Sequence, residues 1–286
     1  MNRRKFLKMA GLGAAALALF PAGKAQAGIG SGHGSSPALS PEAKGMLIDI
    51  TKCIGCGMCY MACQQQNGLS GTQNEVLDAE TWVAVKSYEV DIKGSKEKRF
   101  VRHQCFHCHD PACVSACLVG ALIKTPEGPV VYDGGKCMGC RYCMVACPFN
   151  VPKYQWDSPF PVIRKCIFCA DKVKAGEPTA CASACPTKAT LFGTREELVA
   201  EAKARLQAEP DKYVPHIYGL AEVGGTSFMF LSDVPFEQLG FPSNVGTRPL
   251  PEYTQMALSK IPAVVVGGAL VLGTAYQLTK DRGDKQ

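Results

Sequence analysis

The chain has 286 residues, 47% hydrophobic and 20% charged: enough apolar material for one or two compact, loop-rich domains, and too much for a disordered chain. Its formal charge of +6 rests on Arg3, Arg4, Lys5, Lys8 and Lys24, which stand within residues 1–27 without an acid. Without those five cations the chain carries +1, so nucleic-acid binding loses its electrostatic motive.

Asn2-Arg3-Arg4-Lys5-Phe6-Leu7-Lys8 is a twin-arginine n-region, Met9 to Phe20 a short apolar stretch, and Ala25-Gln26-Ala27 a cleavage site. Residues 1–27 therefore read as a signal peptide cut before Gly28. The apolar run is too short to span a bilayer and stops at Pro21, which argues against an N-terminal anchor. Such a leader resembles those of the route that exports proteins already folded. Residues 28–45, Gly- and Ser-rich around His33, are expected to be flexible.

The first cysteine quartet, Cys53, Cys56, Cys59 and Cys63, is spaced C-x2-C-x2-C-x3-C. Trp82 to Ile92 alternates apolar and polar residues as a strand does, with Arg99 to Arg102 as its expected partner. The second quartet, Cys105, Cys108, Cys113 and Cys117, is C-x2-C-x4-C-x3-C. Around it lie His103, His107 and His109, read as surface or hydrogen-bonding residues rather than ligands. Ala121 to Lys124 and Val130 to Tyr132 read as strands about the turn Thr125-Pro126-Glu127-Gly128. The third quartet, Cys137, Cys140, Cys143 and Cys147, repeats the spacing of the first, and the fourth, Cys166, Cys169, Cys181 and Cys185, is C-x2-C-x11-C-x3-C.

Thr194-Arg195-Glu196-Glu197 is a capping box opening a helix that keeps Leu198, Ala202 and Leu206 on one face and ends near Pro210. Residues 211–254, rich in Gly, Pro and aromatics, read as an extension or linker running over a partner subunit or over the protein's own core. Residues 255–279 include an uncharged run from Ile261 to Leu278 and are expected to cross a membrane, leaving 280–286 as a basic cytoplasmic tail.

Every one of the 16 cysteines belongs to a quartet, and the repeat extends beyond them: Lys52-Cys53-x-Gly55-Cys56 matches Lys136-Cys137-x-Gly139-Cys140, and Ala112 to Cys117 matches Ala180 to Cys185. In an exported chain so many thiols would ordinarily form disulfides. Neighbouring C-x-x-C thiols, however, close too short a loop to pair readily. Zinc sites assemble from two C-x-x-C pairs. Three cysteines at x2 intervals followed by x3-C-P form instead the bacterial ferredoxin run, whose fourth cysteine ligates the other cluster of a pair. Four [4Fe-4S] clusters are the expectation, with iron held by cysteine alone.

Pro148 and Pro186 follow the third and fourth quartets, where a helical turn must stop; Gln64 and Leu118 stand in their place after the first and second, which weakens the turn there without removing a ligand. The spacing permits adjacent pairing of quartets, first with second and third with fourth, or nested pairing, first with fourth and second with third. The strand, turn and strand between the second and third quartets favour nesting. No nucleophile with its base, no paired catalytic carboxylates and no phosphate loop emerges, so no catalytic residue is expected and the chain reads as an electron conductor.

The four quartets in this order, with CRYCMVACPFNVPKYQW and FGTREELVAEAKARL, resemble the four-cluster ferredoxin-type electron-transfer subunits of membrane-bound oxidoreductases. The leader, the tail and the FGTREEL segment draw the likeness toward the branch that serves periplasmic nickel-iron hydrogenases. The expected fold is α+β: an outer ferredoxin-like two-cluster module from residues 46–104 and 151–210, nested around an inner one from 105–150, plus the C-terminal transmembrane helix.

The resemblance implies nested ligand sets. One cluster would take Cys53, Cys56, Cys59 and Cys185, and its mate Cys63, Cys166, Cys169 and Cys181. The inner pair would take Cys105, Cys108, Cys113 and Cys147, and Cys117, Cys137, Cys140 and Cys143. It implies as partners the small and large subunits of a hydrogenase, an integral membrane quinone-reactive subunit, and the bilayer through residues 255–279, on the periplasmic side of a bacterial inner membrane. Hydrogen oxidation would then be coupled to quinone reduction. The quartets are shared with formate dehydrogenase and with sulfur-compound or nitrite reductase complexes, and an equivalent subunit of one of those is the alternative.

Overall fold

The computed structural model describes residues 39–92 and 94–280; the predicted leader, most of the 28–45 segment and residues 281–286 of the tail lie outside the described residues. In chain order the elements are β1 (Lys44–Asp49), α1 (Met58–Asn67), β2 (Ala84–Ile92), β3 (Ser95–His103), α2 (Ala112–Ser115), β4 (Leu122–Lys124), β5 (Val130–Tyr132), α3 (Tyr142–Ala146) and β6 (Lys153–Tyr154). There follow β7 (Ile163–Arg164), α4 (Ala170–Lys174), α5 (Ala180–Ser183), β8 (Thr190–Thr194), α6 (Arg195–Ala208), β9 (Phe228–Leu231), α7 (Leu250–Leu258) and α8 (Ile261–Thr279).

β1 is the middle strand of a three-stranded sheet, antiparallel to β8 and parallel to β9. Successive side chains of a strand point to opposite faces, and here both faces are covered. Met46, Ile48, Phe228 and Phe230 enter an aromatic core with Phe106, Phe168, Tyr218, Phe236 and Phe241. Leu47, Met229 and Leu231 enter a second core against Leu198 and Ala202 of α6 and against Tyr213 and Ile217. The capping box forms as expected: the Thr194 hydroxyl accepts from the Glu197 amide, and Glu197 Oε2 accepts from the Thr194 amide at 3.1 Å. Buried Asp49, at the end of β1, accepts from Arg205 Nη1 at 2.9 Å and from the Tyr213 hydroxyl at 2.8 Å, which ties the sheet to α6 and to the chain beyond it.

Of the two courses open to residues 211–254, the chain from Tyr213 to Phe241 follows its own core. It contributes β9 and the buried Tyr213, Ile217, Tyr218, Val223, Phe236, Leu239 and Phe241, and so is a structural layer rather than a linker. Burial on both faces explains why Phe228-Met229-Phe230-Leu231 shows no two-residue period.

The hairpin expected from Trp82 is β2 with β3, its partner strand longer than Arg99 to Arg102. β4 and β5 form the short hairpin between the second and third quartets, and β6 and β7 form one between the third and fourth that the sequence does not announce. α7 and α8 are separated by Ser259 and Lys260 and contain no buried residue. Together Leu250–Thr279 are long and apolar enough to cross a membrane, with a mean hydropathy of 1.8 over their most apolar 18 residues.

Candidate metal centres

Each quartet opens on a tight loop whose turn is made by the residue before the second cysteine. That residue has a positive φ in all four: Gly55 (71°), His107 (49°), Gly139 (70°) and Phe168 (63°). Glycine adopts this conformation freely, while His107 and Phe168 must be held there by packing. Phe168 is wedged edge-on against Phe228 with ring centroids 4.6 Å apart. His107 accepts a hydrogen bond from the Val130 amide at Nδ1 over 2.9 Å and stacks on Phe168.

A helix carries the third cysteine of each quartet in its first turn: Cys59 in α1, Cys113 in α2, Cys143 in α3 and, after the intervening α4, Cys181 in α5. Before Pro148 and Pro186 the helices stop, so Cys147 and Cys185 fall beyond their ends. Where Gln64 replaces proline, α1 runs on to Asn67 and Cys63 stays inside it; the Gln64 side chain donates to the Glu80 carbonyl at 3.0 Å. Cys117 also lies past the end of its helix, and there the chain turns at Gly120 so that the Ala121 amide donates to the Cys117 sulfur at 3.2 Å.

The sixteen thiols are all free, and the chain brings them into four groups that each mix two quartets. Cys53, Cys56, Cys59 and Cys185 line one cavity with Ile48, Met58, Val85 and Arg102. Cys63, Cys166, Cys169 and Cys181 line a second with Met46, Trp82, Phe168 and Phe228. Cys117, Cys137, Cys140 and Cys143 line a third with Leu122, Tyr132, Met138 and Ile163. Cys105, Cys113 and Cys147 all act electrostatically on Cys108 and make the fourth group. Among the described residues, no three or more His, Cys, Asp or Glu side chains converge tightly enough to hold one metal ion. Four thiols around an enclosed space suit a polynuclear thiolate-bound core better than a single tetrahedral ion.

Burial pushes most of these thiols up: Cys59 and Cys143 to about 11, Cys63 to about 12, and Cys108, Cys113 and Cys166 well above the usual thiol range. Cys185 and Cys137 go the other way. Burial opposes ionisation at both, but the amides of Thr190, Ala189 and Thr187 outweigh it at Cys185, and the Tyr132 hydroxyl and Gly139 amide outweigh it at Cys137. The buried thiols need strong positive charge nearby to ionise, which iron would supply.

Three buried cations stand among the groups. Lys165 Nζ donates to the Cys166 carbonyl at 2.9 Å, Lys124 Nζ donates to the His107 carbonyl at 3.0 Å, and Arg102 lines the first cavity. None is marked by a motif. A lysine precedes the first cysteine of three quartets, but Lys52 is half-buried and Lys136 exposed, and only Lys165 is buried, so the dipeptide does not discriminate. Of the three histidines around the second quartet, His107 and His103 are hydrogen-bonding residues. His107 is fully buried, and His103 and His109 are half-buried, with the Tyr88 hydroxyl 3.1 Å from His103 Nε2.

Comparison with known proteins gives two family matches, a 4Fe-4S dicluster domain over residues 97–195 and a 4Fe-4S binding domain over residues 46–66. A protein of Nitratidesulfovibrio vulgaris is 40% identical over 98% of this chain and 77% of its own length. The hydrogenase-2 operon protein HybA of Escherichia coli O157:H7 is 36% identical over 95% of this chain and 94% of its own. The formate dehydrogenase iron-sulfur subunit of Haemophilus influenzae is 31% identical over 82% and 79%.

Proposed function

Because the chain belongs to the 4Fe-4S ferredoxin-type iron-sulfur subunits of oxidoreductase complexes, we propose that it holds four [4Fe-4S] clusters and conducts electrons from a periplasmic nickel-iron hydrogenase to a quinone-reactive membrane subunit. The observation that carries this reading is the sorting of sixteen cysteines into four groups of four, each drawn from two quartets. Two groups, around Cys53 and Cys166, make an outer module, and two, around Cys105 and Cys137, an inner one nested within it.

Each bound cluster would supply one-electron transfer with no substrate chemistry of its own. The chain's residues do the remainder. Left-handed loop turns and backbone amides aim N–H groups at sulfur, apolar walls exclude water, and Arg102, Lys124 and Lys165 offset negative charge.

The groups form a series. Cys181 acts electrostatically on Cys59, Cys105 on Cys166 and Cys143 on Cys113, each from one group to another, which supports reading the Cys53 and Cys137 groups as its two ends. α7, which leads into the apolar α8, packs against α2 beside Cys113. We therefore read the Cys137 end as the membrane side and the Cys53 end, ringed by exposed Ile54, Met58 and Met61, as the donor side. The twin-arginine leader and the apolar α8 support a body exported folded to the periplasmic side, with residues 280–286 in the cytoplasm. The alignment with HybA spans 95% of the chain against 82% for the formate dehydrogenase subunit, which favours a hydrogenase partner.

The test is elemental analysis of the complex solubilised gently from native membranes and purified through a tag on this chain. Nickel with abundant iron and sulfide supports the reading. Molybdenum or tungsten without nickel moves the chain to a formate dehydrogenase or sulfur-compound reductase, and zinc without iron overturns the cluster reading.

A further inference from the structure

Arg102 lies on β3, only 3% exposed, and differs from the other buried cations in what surrounds it. It lines the cavity of Cys53, Cys56, Cys59 and Cys185. Its Nη2 donates to Met46 Sδ at 3.1 Å, and Met46 lines the neighbouring cavity of Cys63, Cys166, Cys169 and Cys181. Its Nε and Nη1 are buried without a hydrogen-bond partner. Arg99 and Arg205 have carboxylates beside them, and Lys124 and Lys165 are capped by backbone carbonyls. The groups acting most strongly on the charge of Arg102 are Cys181, Cys59, Cys166 and Cys53, two from each cavity. A guanidinium keeps its proton in any protein environment, and one buried without a counter-charge is strongly disfavoured. Its orphaned donors therefore call for negative charge in the cavities.

We propose that Arg102 is a positioning residue that holds a fixed positive charge between the two centres of the outer module and raises the potential at which each accepts an electron. The inference rests on the cluster reading given above. One electron from the donor subunit makes a centre one unit more negative; the same electron leaves for the next centre, and Arg102 neither gains nor loses a proton. A cation at fixed distance stabilises the reduced form more than the oxidised form. Because Arg102 lines one outer cavity, reaches the lining of the other through Met46 and does not line the cavity of Cys117, Cys137, Cys140 and Cys143, its effect falls on two centres of the four.

The experiment compares wild-type, R102Q and R102K forms of the whole complex from native membranes, by iron analysis and by redox titration followed by electron paramagnetic resonance. Expected for R102Q are full iron and two signals titrating lower, with about a tenfold fall in each reduction equilibrium, or about 59 mV for one electron, while the other two stay in place. R102K restores most of the shift. Four unmoved signals in fully loaded R102Q overturn the proposal. If R102Q binds less iron, R102K decides: full iron with near wild-type potentials supports a role for the charge, and the same loss in R102K assigns the side chain to packing and overturns it. Wild-type complex lacking iron overturns the cluster reading itself, and this inference with it.

Discussion

Gly55 turns beneath the ring of Phe100 with φ 71°, and a Cβ there would collide with that ring. Gly139 makes the same turn in the third quartet, yet its Cβ would meet nothing nearer than the Tyr154 hydroxyl, at 3.5 Å, an ordinary contact. Both substitutions to alanine carry the left-handed cost of roughly 1–2 kcal/mol. Only Gly55→Ala adds a clash, so it is expected to lose about a quarter of the iron bound by this chain, while Gly139→Ala keeps all of it and melts a few degrees lower, as checked by iron analysis and thermal scans. Pairing is testable at the same scale. If Cys53 and Cys185 serve one centre, Cys53→Ala and Cys53→Ala/Cys185→Ala lose the same quarter of the iron, whereas adjacent pairing makes the double variant lose about a half. The cysteines were legible because cluster chemistry fixes both residue type and spacing. Arg102 was not, because a lone cation acquires its role only from the cavity that the fold closes around it and from Met46, which joins it to the next.

Local signals forecast the elements they govern. The capping box at Thr194, the alternation of β2 and the turn between β4 and β5 are written within a few residues and appear as expected. β9 and the β6–β7 hairpin are not so written: β9 is apolar throughout because both its faces are covered, and β6 and β7 are two residues each. Their existence depends on partners distant in sequence. The cap itself supports a specific expectation. Thr194→Ala removes an acceptor worth about 1 kcal/mol, so amides in the first turn of α6 exchange about fivefold faster, while the β2–β3 amides are unchanged. Equal acceleration in both regions would mean that the cap acts on the whole body rather than on its helix.

At the scale of the whole molecule, α8 has no buried residue and depends on surroundings outside the chain. Deleting residues 260–286 leaves α7 on α2 and is expected to move the protein from carbonate-washed membranes to the soluble fraction with its iron intact. Retention of the truncated chain in washed membranes would show that a partner, not the span, is its anchor. The body itself contains sixteen thiols and three buried cations around its cavities, so iron removal by chelator under reduction is expected to lower the melting temperature by well over 10 °C and to abolish near-ultraviolet dichroism.

The first cavity joins Cys53 to Cys185, and β1 finds its two sheet partners only in β8 and β9. A ribosome releasing this chain delivers the first three thiols of that cavity roughly 130 residues before the fourth, an interval of about ten seconds at ordinary synthesis rates. Throughout it they are unshielded, open to stray metals and oxidants, while the inner groups can already be complete. Chain order therefore provides a natural checkpoint: β8, whose Thr190 lines that cavity, arrives with the cysteine that completes it, so a nascent or truncated chain advertises its own incompleteness.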